Sequence, residues 1–334
     1  MLLADCVVEP GSPPVLRPEQ ADVRGACEWL SAHRDDVRAV LDVHGALVLA
    51  GLPVRSPEDF AAARDAFFVS RATYREKATP RSSFGNDVYS STDFPARQTI
   101  RAHNENSYTL SFPGLLMFGC LTAPDDGGAT PVTDVRRVLR QLPESLVSEF
   151  RQRGWALVRN YTEEVGLPWE IAFGTEDKAE VAEYCAANLV GLEWLADGSL
   201  RTVQRRSAII KNTRVGEEIW FNHLVFWSEW SLAAEVREMM VDEFGSDGLP
   251  FNTRFGDGEP VSQADIALID DAYREATVRR SWQPGDLMIV DNLLAAHGRE
   301  PFTGERKVVV AMGEAVDLAD CQPTVQPLPG FAGR

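Results

Sequence analysis

Cysteine is scarce in this chain, and the few cysteines present lie far apart. They are odd in number and include no Cys-x-x-Cys pair: Cys6, Cys27, Cys120, Cys185 and Cys321. Small secreted domains use an even set of cysteines as a disulfide framework, whereas cytoplasmic proteins keep their thiols reduced. We therefore expect reduced thiols and a cytoplasmic location.

Long apolar runs and positive charge are also lacking. No uninterrupted apolar stretch approaches the ~20 residues that cross a bilayer, and the first residues do not form the cationic and apolar segments of a secretory signal. The 33 lysines and arginines are outnumbered by 50 aspartates and glutamates, for a formal net charge of −17. Such a surface repels phosphates and anionic lipid, so we expect neither nucleic acid nor a membrane as a partner.

The rest of the composition is that of a globular protein. Hydrophobic residues make up 44% and charged residues 25% of the 334 positions, so the sequence does not predict disorder. A chain of this length can bury a sizeable core. The sequence contains no internal repeats.

Periodicity indicates a single domain over residues 1–334 with two helical parts. The first is an N-terminal segment at about residues 17–70, in which Ser56 has the type and context of a helix N-cap. The second is a helix-rich insert at about residues 134–278. Residues 77–97 lack periodicity and are predicted to be a loop. Strand-like runs complete the pattern, at 46–50, 98–103, 114–121 and 131–133.

Histidine is rare as well, so the placement of each one is informative. The five are His33, His44, His103, His223 and His297. One of them stands in the triplet His103-Asn104-Glu105, and on a strand the first and third side chains of such a triplet share a face. With His297, which the fold must bring close, they make up the two-histidine, one-carboxylate ligand set of non-haem Fe(II) oxygenases.

Two interpretations of this set are open from the residues alone. A His-x-Glu triplet arises by chance in many chains, and His103 would then be an ordinary strand histidine and Glu105 a solvated carboxylate. The surroundings of His297 favour a metal site, because it lies just past an apolar, strand-like run at 287–292 and precedes a short turn. Three protein ligands leave the other coordination positions for a co-substrate and O2.

An arginine follows that turn and opens a second apolar run. Arg306 stands two residues before the start of the run at 308–312. A buried guanidinium in this place offers a planar pair of donors to the distal carboxylate of a dicarboxylate co-substrate. The alternative is a surface arginine in a charged turn with Glu305 and Lys307.

Several further stretches accompany these residues and together cover most of residues 40–315. They are Ser91-Thr92 with Phe94-Pro95, His103-Asn104-Glu105 with Ser107-Tyr108, Gly127-Gly128-Ala129-Thr130-Pro131, Arg159-Asn160-Tyr161, Trp220-Phe221-Asn222, Asp291-Asn292, His297-Gly298-Arg299 and Gly304-Glu305-Arg306. In this order they resemble the taurine dioxygenase/clavaminate synthase-like superfamily of Fe(II)/2-oxoglutarate oxygenases. The branch that contains the aspartyl hydroxylase of syringomycin biosynthesis is the most similar.

The resemblance implies a fold and a metal site. The fold would be mainly β with helical decorations, on a double-stranded β-helix (jelly roll, cupin-like) core. His103, Glu105 and His297 would hold Fe(II), with 2-oxoglutarate as co-substrate and O2 as oxidant. Glu105 departs from the aspartate that many relatives have at this position.

The resemblance also implies an anchor for 2-oxoglutarate. Arg306 matches the family position best, with Thr130 assisting, although from the bare sequence Thr130 could equally be a β-branched residue that fills a strand. The gap from His297 to Arg306 is shorter than in taurine dioxygenase, which leaves Arg299 as the alternative anchor.

The implied activity is hydroxylation of an unactivated C–H bond in secondary-metabolite biosynthesis. The substrate would be an amino acid, free or tethered to a carrier protein. Candidates for substrate contacts are Asn104, Ser107, Tyr108, Arg159, Asn222 and His223, the last with a polar core role as the alternative. A desaturase or cyclase on the same scaffold and a non-catalytic, metal-binding cupin-like protein remain open. A halogenase is disfavoured because chloride needs the coordination position that Glu105 fills.

Overall fold

A computed structural model describes residues 5–72, 82–91, 93–162 and 166–331. The α-helices in this part of the chain are α1 (Val23–Ala32), α2 (Arg34–His44), α3 (Pro57–Phe67), α4 (Val135–Gln141), α5 (Glu144–Arg153), α6 (Trp169–Phe173), α7 (Lys178–Ala187), α8 (Ala234–Phe244) and α9 (Gln263–Ala276). Short 3₁₀ helices span Glu229–Ser231 and Leu318–Cys321. None of the helices in these ranges combines the length and apolar character that a membrane crossing requires.

The strands follow the same chain order. They are β1 (Val15–Leu16), β2 (Ala46–Leu49), β3 (Ser83–Gly85), β4 (Val88–Ser90), β5 (Ile100–His103), β6 (Ser111–Thr122), β7 (Asp126–Gly127), β8 (Val132–Asp134), β9 (Trp155–Tyr161), β10 (Gly191–Trp194), β11 (Leu200–Arg206), β12 (Ile209–Asn212), β13 (Glu217–Trp220), β14 (Phe251–Phe255), β15 (Thr277–Val278), β16 (Leu287–Asp291), β17 (Ala295–Arg299), β18 (Phe302–Thr303), β19 (Lys307–Asp317) and β20 (Leu328–Pro329).

Two sheets form a double-stranded β-helix core, which confirms the predicted fold class. The larger has seven strands in the order β1-β2-β16-β6-β19-β4-β3, and the smaller has four in the order β15-β8-β17-β5. Buried side chains from both sheets, among them Phe118, Val132 and Val290, form one cluster in the space between them. The metal-ligand candidates lie on strands or turns that border this interior.

The central strands of the larger sheet are buried on both faces, which explains their continuous apolar sequence. In β6, Leu115 and Met117 join the cluster of α1, α2 and α3, whereas Leu116 and Phe118 join the cluster between the sheets. Successive side chains of a strand point to opposite faces, so a strand covered on both sides must be apolar at every position.

The N-terminal helices form as the sequence predicts. Ser56 caps α3, because its hydroxyl accepts from the backbone N–H of Asp59 while the Asp59 carboxylate accepts from the backbone N–H of Ser56. Pro57 occupies the first helical position, where its missing N–H costs nothing. The helices then pack on the outer face of the larger sheet.

Residues 77–97 differ from the predicted loop. Residues 77–81 and 92 lie outside the described residues, but the rest contains the hairpin of β3 and β4, and β4 pairs with β19 at the edge of the larger sheet. These strands have three residues each, and β3 is exposed throughout. Strands this short carry too little alternation for a sequence pattern to show.

The segment at 134–278 contains α4 to α9, as predicted, and also a sheet that the sequence does not reveal. Its strands run in the order β10-β11-β9-β14, with β20 paired to β11. In β11 the inward positions after Leu200 are polar, namely Thr202, Gln204 and Arg206. The burial alternates but the hydrophobicity does not, so hydrophobic periodicity cannot detect this strand.

The turn between β16 and β17 fixes the backbone beside Glu105. Asn292 is fully buried in this turn. Its side-chain oxygen accepts from the Glu105 N–H at 2.7 Å, and its side-chain nitrogen donates to the carbonyls of Glu105 at 3.0 Å and Pro113 at 2.7 Å. Buried backbone groups must be paired, and one side chain pairs three of them here.

We predict that Asn292→Ala lowers the free energy of unfolding by about 2–4 kcal/mol, because it leaves these buried backbone groups without partners. Chemical denaturation of the metal-free protein measures this change. Gln152→Ala is the matched control, since the exposed Gln152 bonds only to Ser148 on the surface of α5, and it should change the value by under about 0.5 kcal/mol. Equal stabilities of the two variants would show that the Asn292 bonds contribute nothing.

Candidate metal centre

His103 and His297 face each other across an antiparallel strand pair. The register of β5 and β17 places His297 directly opposite His103, and their ring centroids are 4.5 Å apart. Residues directly opposite in an antiparallel pair project to the same face, which brings distant positions of the chain together. The sequence prediction placed His297 just past a strand end. It lies instead in the middle of β17, which is one of the two central strands of the smaller sheet.

Glu105 does not lie on the strand that carries His103. β5 ends at His103, and Glu105 stands in the turn that follows, so the predicted strand placement of Glu105 is wrong. The turn nevertheless directs the carboxylate to the imidazoles. Its Oε2 lies 3.6 Å from Nε2 of His297 and 4.0 Å from Nε2 of His103. Asn292 holds the turn in this position.

The three side chains fit a first-row divalent metal such as Fe(II). One donor atom from each lies within 4.8 Å of the other two, and Glu105 and His297 are buried. His103 Nδ1 lies 2.9 Å from the carbonyl of Arg101. A carbonyl only accepts, so Nδ1 carries the proton and Nε2 presents its lone pair to the metal side.

Arg306 is held beside this centre by neutral groups. Its Nε donates to the carbonyl of Gly128 at 2.8 Å, Nη1 to the Ser91 hydroxyl at 3.0 Å and Nη2 to the Thr130 hydroxyl at 3.2 Å. Burial lowers the pKa of Arg306 to about 10, and Arg299 nearby acts in the same direction. The guanidinium is therefore cationic at neutral pH, and no carboxylate in the described part of the chain forms an ion pair with it.

Two glycines let the backbone approach Arg306. Gly127 and Gly128 have φ values of +70° and +65°, a conformation that L side chains rarely adopt. A Cβ on Gly128 would stand 2.9 Å from Cβ of Phe302 and 3.1 Å from Cδ of Arg306. The Gly-Gly turn is therefore required for the carbonyl of Gly128 to accept the Arg306 hydrogen bond.

Arg299 is buried, and its guanidinium donates hydrogen bonds to the backbone of a neighbouring loop. Nη1 donates to the carbonyl of Phe94 at 3.0 Å, and Nη2 donates to the carbonyls of Pro95 at 2.6 Å and Gln98 at 2.9 Å. Burial lowers its pKa. Both terminal nitrogens thus hold residues 94–98 against the smaller sheet.

Ser107, Tyr108 and His223 form a cluster next to His103. The Ser107 hydroxyl lies 2.6 Å from Nδ1 of His223, and the Tyr108 and His223 ring centroids are 5.3 Å apart. The His223 and His103 centroids are 5.2 Å apart. Burial, and then the charge of His103, holds the pKa of His223 well below its usual range. His223 is therefore a neutral neighbour of the centre, outside the group of three donors.

A row of stacked rings runs from His223 away from the centre. His223 stacks on Trp227 at 4.4 Å, and Trp227 stacks on Phe251 at 4.9 Å. Arg159, fully buried in β9, places its guanidinium 4.9 Å from the Phe251 centroid and 4.5 Å from that of Tyr161. We call His223, Trp227 and Phe251 the aromatic row; it links His103 to the Arg159 charge.

Asn104 and Asn222 have structural partners. The Asn104 side chain donates to the carbonyl of Asn292 at 2.6 Å, so its amide nitrogen is used by the backbone of the β16–β17 turn. Asn222 accepts from the N–H of Leu224 at 3.0 Å and donates to the carbonyl of Ala208 at 3.2 Å. Both amides fix backbone and neither is directed at the centre by these contacts.

The sequence interpretation missed the roles of Asn292, Phe118 and Phe226. Phe118 and Phe226 cover the ligand rings, with centroids 5.1 Å from His297 and 4.8 Å from His103. Asn292 carried a signal, because an amide directly after the apolar run of β16 is buried only if its hydrogen bonds are satisfied. The two phenylalanines carried none, since an apolar strand residue and a loop aromatic are common in any core.

Comparisons with known proteins identify the family. The model of the taurine catabolism dioxygenase TauD, TfdA family matches residues 8–312. The chain is 37% identical over 289 residues to the dapdiamide synthesis protein DdaC of Enterobacter agglomerans, covering 86% of this chain and 87% of that protein. It is 30% identical over 289 residues to the clavaminate synthase-like protein At3g21360 of Arabidopsis thaliana, covering 82% and 83%.

The fold is shared with a solved structure as well. A taurine dioxygenase from Burkholderia xenovorans matches with a TM-score of 0.54 and 15% identity, over 99% of this chain and 96% of that one. These findings confirm the resemblance and the double-stranded β-helix core. The chain belongs to the TauD/TfdA family and is an Fe(II)- and 2-oxoglutarate-dependent dioxygenase that acts on a small molecule.

Proposed function

We propose that His103, Glu105 and His297 hold the Fe(II) of this enzyme and that Arg306 anchors 2-oxoglutarate with Thr130. The observation that carries the proposal is the convergence of the three donor atoms at the edge of the interior between the sheets. When bound, Fe(II) with 2-oxoglutarate and O2 supplies the oxidant, with succinate and CO2 as co-products. The protein's own task is to position the reacting C–H bond and to exclude water.

The surrounding side chains suit this task. Arg101 fixes the tautomer of His103 through its carbonyl, and Asn292 fixes the turn of Glu105. Phe118 and Phe226 cover the imidazoles, so they exclude water from one side of the ligand set.

Arg306 is the better anchor because it bonds to the Thr130 hydroxyl, which can itself donate to a carboxylate, whereas Arg299 bonds to backbone carbonyls. The three hydrogen bonds of Arg306 to described residues go to neutral oxygens and use three of its five N–H groups, so donors remain for a carboxylate. Arg299 likewise uses three of its N–H groups, but all three donate to backbone carbonyls of residues 94–98, so its contacts hold a loop. Two nearby cations also favour an anion in the space between them.

We further propose that the substrate is an amino acid, free or tethered to a carrier protein, that is hydroxylated in secondary-metabolite biosynthesis. The 37% identical relative acts in dapdiamide synthesis, which supports this class. Arg159, buried at the end of the aromatic row, is our candidate for the residue that faces the polar end of the substrate. Ser107 and Tyr108, which contact His223 beside His103, are further candidates for substrate contacts. A desaturase or cyclase would use the same residues.

Location and organisation are part of the same proposal. The five cysteines are free thiols, as an enzyme of the cytoplasm requires. The helical segment and the insert at 134–278 pack around the core as parts of one catalytic domain.

The metal assignment predicts the behaviour of ligand variants. Anaerobic Fe(II) with 2-oxoglutarate should give the visible charge-transfer band of the chelate, and His103→Ala or His297→Ala should abolish both the band and succinate formation. Glu105→Asp keeps the charge but shortens its reach, so it should retain part of the activity that Glu105→Ala loses. Full activity in either histidine variant would contradict the assignment. His44→Ala, on α2, is the control and should behave as wild type.

The anchor assignment predicts a difference between two arginines. Losing a buried, charge-assisted contact costs on the order of 2–5 kcal/mol, so Arg306→Ala should weaken 2-oxoglutarate binding roughly 30-fold or more. Arg299→Ala should raise KM for 2-oxoglutarate less, because its contacts hold a loop.

The pH dependence provides a second check on Arg306. Its pKa of about 10 keeps the cation present at neutral pH and removes it as pH rises through that value. The affinity for 2-oxoglutarate should therefore be flat near neutrality and fall as pH approaches the pKa.

A larger KM increase in Arg299→Ala than in Arg306→Ala would reverse the assignment of the anchor.

The substrate proposal is tested by succinate release over a panel of free amino acids and the same aminoacyl groups loaded on carrier proteins. We expect one amino acid to stimulate release, with a product that gains one oxygen atom; loss of two hydrogens instead would identify a desaturase or cyclase. Arg159→Gln should raise KM for that substrate and leave the 2-oxoglutarate affinity unchanged. If no member of either set stimulates release, the amino-acid class is wrong.

A further inference from the structure

The Thr130 hydroxyl receives two hydrogen bonds from groups that can only donate. Nε1 of Trp282 lies 3.1 Å from Thr130 Oγ1, and Nη2 of Arg306 lies 3.2 Å from the same atom. An indole N–H and a guanidinium have no acceptor function. Both lone pairs of the hydroxyl oxygen are therefore occupied, and its proton is the only part left to bond.

The proton of Thr130 must go to an acceptor that the described residues do not provide. Thr130 and Trp282 are both buried, with 5% and 6% of their surfaces exposed, so bulk water does not reach this hydroxyl freely. No described side chain or carbonyl accepts from it. A buried donor of fixed direction next to a guanidinium without an anionic partner is suited to a carboxylate oxygen.

Trp282 is itself held firmly. Its ring packs in the cluster between the sheets with Val48, Val132 and Met288. The turn that follows it is fixed by Asp286, whose carboxylate accepts from the N–H groups of Gln283 and Gly51 at 3.2 and 3.1 Å. A packed ring gives its N–H one direction, so little rotational freedom is lost when the hydrogen bond forms.

We propose that Trp282 is a positioning residue for 2-oxoglutarate: its indole N–H, together with Arg306, fixes the Thr130 hydroxyl as a donor to the distal carboxylate. The inference rests on the proposed roles of Arg306 and Thr130. Without the indole donor, the hydroxyl could turn its proton away and present a lone pair to the carboxylate. That orientation repels the ligand, so affinity should fall although Trp282 makes no contact with it in this scheme.

A double-mutant cycle separates this role from simple packing. The measurement is the dissociation constant of 2-oxoglutarate for the Mn(II)-loaded protein by calorimetry, which needs no turnover. We expect Thr130→Val to weaken binding roughly 10-fold or more and Trp282→Phe roughly 3- to 10-fold. In the Thr130→Val background, Trp282→Phe should add almost nothing, because the hydroxyl it orients is gone.

Steady-state kinetics gives an independent readout. Trp282→Phe should raise KM for 2-oxoglutarate while kcat at saturating 2-oxoglutarate stays near wild type. Trp155→Phe is the matched control, since Trp155 is equally buried but belongs to the cluster of the insert, and it should leave the affinity unchanged. If Trp282→Phe does not unfold cooperatively, Trp282→Met fills the space with a flexible side chain and serves in the same cycle.

Each outcome decides the inference. An equal loss from Trp282→Phe with and without the Thr130 hydroxyl would show that the ring acts through packing alone and would overturn the proposal. So would an unchanged affinity in Trp282→Phe. Wild-type protein that fails to bind 2-oxoglutarate with Mn(II) would instead reject the proposed co-substrate site, and the inference with it.

Discussion

Antiparallel pairing of β5 with β17 is the constraint on which the centre depends. It sets His103 opposite His297, although the two residues are far apart in the chain. The β17 strand also pairs with β8, which begins two residues after Thr130, so the same strand relates the candidate metal ligands to the residues proposed for the co-substrate. A one-residue slip of β17 would turn His297 to the other face of the sheet. It would disrupt the candidate metal site and the proposed co-substrate site together.

Buried polar side chains supply the accuracy that strand pairing alone cannot. Glu105 lies beyond the end of β5, where no ladder fixes it, and Asn292 takes over by pairing both its backbone N–H and carbonyl. In the same way Trp282 and the Gly128 carbonyl fix the groups around Arg306. Each of these hydrogen bonds joins two distant chain segments in the buried interior, where hydrogen bonds are strong. They therefore hold Glu105 and the groups around Arg306 in place before a metal or co-substrate binds.

Local sequence patterns predicted what depends on neighbours in the chain. The cap at Ser56 and the buried strand β2 were readable because a few adjacent residues determine them. The candidate ligands His103, Glu105 and His297 could be named from residue type and motif, although only the fold brings them together. The turn position of Glu105 and the mid-strand position of His297 were not predicted, since register and strand ends follow from pairing with distant segments. The inward face of β11 is largely polar, so hydrophobic periodicity did not predict the sheet that contains it. The hydrogen bond between Trp282 and Thr130 joins two residues whose spacing in the sequence gives no indication of contact.

The two core sheets and the segment at 134–278 contribute different residues to the candidate site, and this separation has an evolutionary consequence. The metal-ligand candidates, Thr130 and Arg306 all come from the core or its adjoining turns, whereas Arg159 and the aromatic row come from the segment at 134–278. If Arg159 and the aromatic row bind the substrate as proposed, selection can remodel that segment, and with it the choice of substrate, while the residues proposed for the metal and the co-substrate stay unchanged. A scaffold organised in this way can diversify across a family of natural-product pathways by changing one contiguous stretch of its gene.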